Sequence, residues 1–294
     1  MIRRAEATPA KSSANPNLEV YNAPEVTEHY AALDYLSACE KRLFDAHIRP
    51  GADILDLGVG GGRTTSYLSA AARLYVGLDY APEMIEACRL KFPGLDFRIA
   101  DATDLSIFPN YSFDVIVFSF NGIDYIVPDT GRQQCLEECH RVLRGGGTLV
   151  LSSHNPRAIF VRPLWNQQRV RTFAESLVGR ESVWLTPLTV AATGAKAALT
   201  VARSSVASVR RILTRVPRAI FWKGNGWMWE PSHGGLTLHY AVPSHVIKEV
   251  EEHGFDLLQV LGDDYPSPSR QLITDWYYYV FAKKADGEST ESCA

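Results

Sequence analysis

The stretch Ile54-Leu55-Asp56-Leu57-Gly58-Val59-Gly60-Gly61-Gly62 decides the reading of this chain. An apolar run from Ala52 that ends in glycines reads as a buried strand breaking into a loop. Glycine permits a tight turn and a close approach of backbone to a ligand. The segment Thr64–Ala72 has helical character, and the start of such a helix offers unpaired N–H groups and a positive dipole end. Strand, glycine turn and helix together predict a nucleotide-type pocket at the carboxyl end of a parallel strand.

Working outward, 74–80 (LYVGLDY) is a second strand ending at Asp79, 23 residues after Asp56, where a carboxylate suits the hydroxyls of a ribose. Pro82 opens a helix over PEMIEACRLKF. A third strand, 96–101, ends at Asp101, a fourth covers 113–120, Arg132–Leu143 is helical, and a fifth strand covers 148–154. Alternation at this pace implies a mostly parallel sheet with helices on both faces. The dinucleotide fingerprint G-x-G-x-x-G is not completed, because Arg63 stands where its third glycine belongs.

With these segments in place, the chain resembles the class I S-adenosylmethionine (SAM)-dependent methyltransferases over residues 25–154 and again over 236–284. The segments that carry the likeness are ILDLGVGGG, GLDYAPEMIEAC, ADATDL, FDVIVFSFNGIDYI and RVLRGGGTLVLSS, in that order. The resemblance implies a Rossmann-like α/β fold with a seven-stranded sheet, its last strand antiparallel, and SAM as cofactor. It also implies roles. Asp56, Gly58, Gly60 and Gly62 would shape the pocket for the methionine part and Asp79 would hold the ribose. Tyr80 and Met84 would lie near the adenine, with Asp101 and Ala102 reading its edge. Ser119 and Phe120 would flank the methionine part, and Asn121 would face the acceptor. The segments SFNGIDYI, SSHNPR and LHYAVPSHVIKEVEEHGF further resemble small-molecule N-methyltransferases of the glycine and sarcosine type, which implies Arg157 as a ligand for an acceptor carboxylate.

A hydroxyl acceptor needs a base near neutral pKa. His154, at the end of the fifth strand, is the first candidate, and Asn121 and Asp124 are the second. Trp227, Trp229 and His233 are candidates for the acceptor wall.

The β–α rhythm stops over 155–235, which reads as an inserted, largely helical cap. Between Pro156 and Lys223 there are 12 Lys or Arg and two acids, although the whole chain carries a net charge of -3. Residues 195–222 plot as an amphipathic cationic helix. That face suits a solvated cap, an anionic acceptor, or peripheral contact with anionic lipid. No nucleic-acid module accompanies it. Residues 1–24 read as a flexible leader, 236–284 as a return to the core that includes a strand at 236–242 and a terminal hairpin, and 285–294 as a disordered tail. Five cysteines without framework spacing suggest a reducing cytoplasm and no disulfides, and no metal-ligand set is apparent. The expected function is methyl transfer to a hydroxyl or amine of a small molecule or glycan. A nicotinamide-dependent oxidoreductase and a non-catalytic SAM-binding regulator are the alternatives.

Overall fold

A computed structural model describes residues 17–161, 224–230, 236–272 and 274–285. The strands are β1 (Ala52–Leu57), β2 (Ala72–Asp79), β3 (Asp96–Ile99), β4 (Phe113–Phe118), β5 (Leu143–His154), β6 (Asn225–Glu230), β7 (Leu236–Ala241), β8 (Phe255–Gly262) and β9 (Trp276–Lys283). The helices are α1 (Leu18–Tyr21), α2 (Pro24–Ala31), α3 (Ala38–His47), α4 (Thr65–Ala71), α5 (Pro82–Lys91), α6 (Asp129–Val142), α7 (Pro156–Val161) and α8 (Pro243–Glu252).

Seven strands form one sheet in the order β3-β2-β1-β4-β5-β9-β8. The pairings from β3 through β5 are parallel, and β9 runs antiparallel to both β5 and β8. The switch point falls between β1 and β4, where ligands collect at strand carboxyl ends. The expected Rossmann-like sheet is therefore present.

Side-chain alternation shows how both faces are filled. Leu55, Leu57, Ile116, Leu149, Leu151, Tyr279 and Phe281 pack with Cys135, Leu136 and Cys139 of α6 and with Val246 and Val250 of α8. Their neighbours Ile54, Val115, Val117, Val150, Tyr278 and Val280 pack on the opposite face with α3, α4 and α5. Cys135 and Cys139 are buried core thiols, and no metal-binding group of side chains is found among the described residues.

Two expectations are corrected. The leader does not extend to residue 24: 17–24 is ordered, because Asn17 is buried and its side chain bonds the backbone of Tyr125 (3.2 Å) and both backbone groups of Thr237 (2.8 and 2.9 Å). Between the leader and β1 stand two separate helices, α2 and α3, since Ser37 and Glu40 form a capping box that starts α3 afresh. The strand near 236–242 does not rejoin the main sheet. It pairs with β6 in a separate antiparallel ribbon, and Leu236, Leu238 and Tyr240 pack against Val20, Tyr21 and Tyr125. Pro243 takes the first helical position of α8 and Val242 the cap. Residues 1–16, most of the basic insert including 195–222, and 286–294 lie outside the described residues.

Candidate active site

The carboxyl ends of β1, β2, β4 and β5 enclose one deep cavity. The turn after β1 forms its floor, with Gly58 and Gly60 in the left-handed region at φ +59° and +54°. A Cβ on Gly60 would find only Tyr30 within 4 Å, at 3.9 Å, so this backbone is open to a ligand. Gly61 closes the back of the loop. Its Cβ would sit 2.3 Å from backbone atoms of Tyr30 and Ala31, which ties the loop to the end of α2. Gly62 is not on the wall; the space above it is filled by Phe92 at 2.6 Å.

Asp56 is buried, and its Oδ2 accepts hydrogen bonds from Thr64 Oγ1 (2.8 Å) and the Tyr75 hydroxyl (2.9 Å). It braces the start of α4 while one side of it borders the cavity. Asp79 accepts from Gly60 N through Oδ2 and from Ala81 N through Oδ1, both at 2.9 Å. Burial pushes the carboxyls of Asp56 and Asp79 up to about 6, even though hydrogen bonds pull the other way. Tyr80, Met84, Asp101 and Ala102 line the same end. Asp101 closes an Asx turn through Thr103 N and Oγ1, each at 2.9 Å. The Tyr80 hydroxyl is buried with no hydrogen-bond partner among the described residues.

The other end is built where β4 leaves the sheet. Phe120 and Asn121 adopt φ of +55° and +64°, a left-handed pair of non-glycine residues and therefore a strained turn. Ser152 Oγ holds it by accepting Asn121 N at 2.7 Å. The turn presents Ser119, Phe120 and Asn121 to the cavity. A 3-10 turn over Gly122–Tyr125 then carries Asp124 behind His154.

Asp124 is fully buried and is not on the cavity wall. Its Oδ2 accepts His154 N (2.7 Å) and lies 2.9 Å from His154 Nδ1, and its Oδ1 accepts Ser153 Oγ at 2.8 Å. A carboxylate ringed by donors fixes the proton of His154 on Nδ1. The Nε2 lone pair then faces Asn121 Nδ2 at 3.2 Å, and His154 borders the cavity. This is an imidazole oriented by a carboxylate, with Asn121 beside it and Asn121 Oδ1 buried and unbonded among the described residues.

Arg63, the residue that broke the dinucleotide fingerprint, is buried on the wall and bonds Glu40 in a bidentate pair, at 2.7 Å from Nη1 and 2.5 Å from Nη2. Glu40 also accepts from Ser119 Oγ and is held ionised by these partners, well below the range its burial alone would impose.

The structure does not bring every candidate here. Arg157 reaches Gln271 Oε1 at 3.0 Å instead of the cavity. Trp227 lies opposite His239 in the ribbon, ring to ring at 5.2 Å, away from the wall. Trp229 lies on the same strand, and His233 falls outside the described residues. In their place stand Trp276, Tyr21, Tyr30 and Tyr125. Trp276 is paired with His154 in the β5–β9 register. The two tyrosines Tyr21 and Tyr30, in the segment before β1, were the available signal for the N-terminal contribution.

This sheet order with a glycine-floored cavity at its switch point defines a class of Rossmann-like, nucleotide-type α/β folds. Residues 54–147 match the family model of a methyltransferase domain. A probable S-adenosylmethionine-dependent methyltransferase of Mycolicibacterium smegmatis is 34% identical over 110 residues, 37% of this chain and 41% of that protein. A ubiquinone biosynthesis O-methyltransferase of Xanthomonas campestris is 31% identical over 110 residues, 36% of this chain and 44% of that protein. The chain thus spans about two fifths of the length of the curated relatives it matches. A solved SAM-dependent methyltransferase of Methanosarcina mazei shares the fold, with a TM-score of 0.52 at 16% identity over 86% of this chain and 100% of that one. Residues 54–147 thus match a methyltransferase domain, and relatives of that stretch are named as SAM-dependent methyltransferases, whose cofactor is SAM. No described helix is long and apolar enough to cross a membrane.

Proposed function

We propose that this chain transfers the methyl group of SAM to a hydroxyl of a small molecule or glycan, with His154 as the general base. The observation that carries this is His154 at the cavity wall with Asp124 buried behind it, beside Asn121 and across from the glycine floor. A hydroxyl must give up its proton as it attacks, which calls for such a pair, whereas a neutral amine attacks through its lone pair and sheds its proton afterwards. That a relative is a ubiquinone biosynthesis O-methyltransferase supports the same direction.

The residues present fit SAM. The open backbone at Gly60, the unbonded Tyr80 hydroxyl and the unbonded Asn121 Oδ1 leave the cavity room and polar atoms to satisfy a ligand. Gly58, Gly60 and Gly61 would hold the methionine part, Asp79 the ribose, and Asp101 with Ala102 the adenine edge. When bound, SAM supplies an electrophilic methyl carbon on a good leaving group. The chain's own task is to seat the acceptor in line and keep water out, worth up to roughly 7–11 kcal/mol. His154 Nε2 takes the acceptor's proton, and Asp124 stabilises the imidazolium that results.

Calorimetry with SAM, S-adenosylhomocysteine and NAD tests the cofactor, and a labelled-methyl assay over pooled small molecules and glycans tests the acceptor. Binding of NAD alone would sink the reading; labelled product retained on an amine only would remove the role of His154. Asp79 adds a pH signature. A carboxyl titrating at about 6 is ionised at pH 7.5 and roughly nine-tenths protonated at pH 5. SAM affinity is expected to fall about tenfold across that interval as the ribose acceptor is lost. Asp79→Asn should bind weakly at both pH values. A flat wild-type profile would remove the ribose assignment.

A further inference from the structure

We infer that Glu249, acting through Arg132 and Asp124, sets the proton affinity of His154 from outside the cavity. The inference rests on the reading of His154 as the base, and it assigns two positioning residues that touch neither cofactor nor acceptor.

Arg132 projects from α6 into the interior and is 1% exposed. One edge of its guanidinium faces the base: Nη1 donates to Ile123 O at 2.8 Å and lies 3.4 Å from Asp124 Oδ1. The other edge faces α8, where Nε and Nη2 donate to Glu249 Oε1 (3.2 Å) and Oε2 (2.8 Å). A carboxylate, a guanidinium and a second carboxylate thus lie in a row behind the imidazole, and neither Arg132 nor Glu249 borders the cavity.

The charges explain the need for the second carboxylate. Asp124 with Arg132 alone is a neutral pair, which gives an imidazolium little reason to form beside it. Glu249 neutralises Arg132 from behind, so the row carries one net negative charge toward His154. Taking up the acceptor's proton then makes the buried set neutral. In a low-dielectric interior such a term is felt over several ångströms. The remaining groups around the row do not replace it. Against His154 stand Asn121 and the rings of Tyr125, Tyr240 and Trp276. Near Asp124 and Arg132 are Ser153, the Cys135 thiol, Tyr279, and His239 with Asp129 beyond it. The hydrogen bond with Cys139, and then burial, raise the Cys135 thiol, while burial raises the Tyr279 hydroxyl and lowers His239, so all three stay neutral near pH 7.

The test is an NMR titration of the histidine side chains in the full-length protein, with the His154 signal assigned by its loss in His154→Asn. Glu249→Gln keeps the shape and one hydrogen bond to Arg132 but deletes a charge. It is expected to move the His154 midpoint down by about one pH unit. Arg132→Met should move it up by a similar amount, and the double variant Arg132→Met/Glu249→Gln should return it close to wild type. Should Arg132→Met fail to fold, Glu249→Gln and the double variant still carry the comparison. A bridge that merely pins α6 to α8 would lower thermal stability in all three and leave the midpoint in place; that result overturns the inference. The acid limb of the kcat profile should follow the midpoint. If the midpoints shift as stated and turnover ignores them, the network stands and the proposed base falls.

Discussion

His154→Asn is expected to lower kcat for methyl transfer by about a hundred- to ten-thousand-fold while SAM affinity is unchanged. The expectation follows from where the ring sits. Its Nδ1 is committed to a fully buried carboxylate and its Nε2 to the cavity side, which is the orientation the proposed base requires. The glycine floor and Asp79, which would hold the cofactor, make none of their described hydrogen bonds to it. Asp124→Asn is the sharper companion. It keeps the shape but must offer its own amide hydrogens somewhere, which disturbs the Nδ1–H arrangement of His154. Initial rates against acceptor concentration, with calorimetric SAM binding on the same preparations, check both. Undiminished kcat in His154→Asn would end its assignment as the base.

Gly61→Ala is expected to cost about 1–3 kcal/mol of stability and at least about tenfold in SAM affinity. The added methyl would fall 2.3 Å from Tyr30 C and Ala31 N, and 2.5 Å from Ala31 Cα. These are backbone atoms, so no rotamer change relieves the clash and the end of α2 must move. Tyr30 rides on that end and Tyr21 packs against it at 6.0 Å between ring centroids, and both line the cavity. Gly145→Ala is the control: nothing lies within 4 Å of its Cβ. Melting temperature and calorimetry read the outcome. A Gly61→Ala protein that melts and binds like wild type would show that α2 does not brace the loop.

The centre of the sheet was legible because β1, β2 and β4 are each both short and bounded. The run 52–57 ends in glycine, 72–79 in an acid, and 113–118 in a polar turn, so period and punctuation agree. The ribbon was not legible. Leu236, Leu238 and Tyr240 alternate like any strand of the main sheet, and alternation does not say which partner a strand takes. Within the site, residues carried by strand ends were found from sequence: Asp79, Asn121 and His154 all border the cavity. Residues brought by long-range register were not. Trp276 reaches the wall only because β9 pairs antiparallel with β5, and the sequence around it reads as plain strand. Asp124 was found but given the wrong distance from the chemistry, since one 3-10 turn decides whether a carboxylate faces the cavity or the ring behind it. Arg157 was implied as a carboxylate ligand by the resemblance to glycine and sarcosine N-methyltransferases, yet Gln271 takes its guanidinium.

Asn17 bonds Thr237 across 220 positions of chain, and Trp276 seals a wall whose floor begins at Gly58. Ribosomes deliver those parts in order, N-terminus first. A nascent chain therefore holds its glycine floor and its base long before it holds the roof and the last wall. The compartment for the cofactor is finished only when β9 has docked against β5, so a growing or C-terminally clipped chain has the chemical groups without the enclosure that makes them a site.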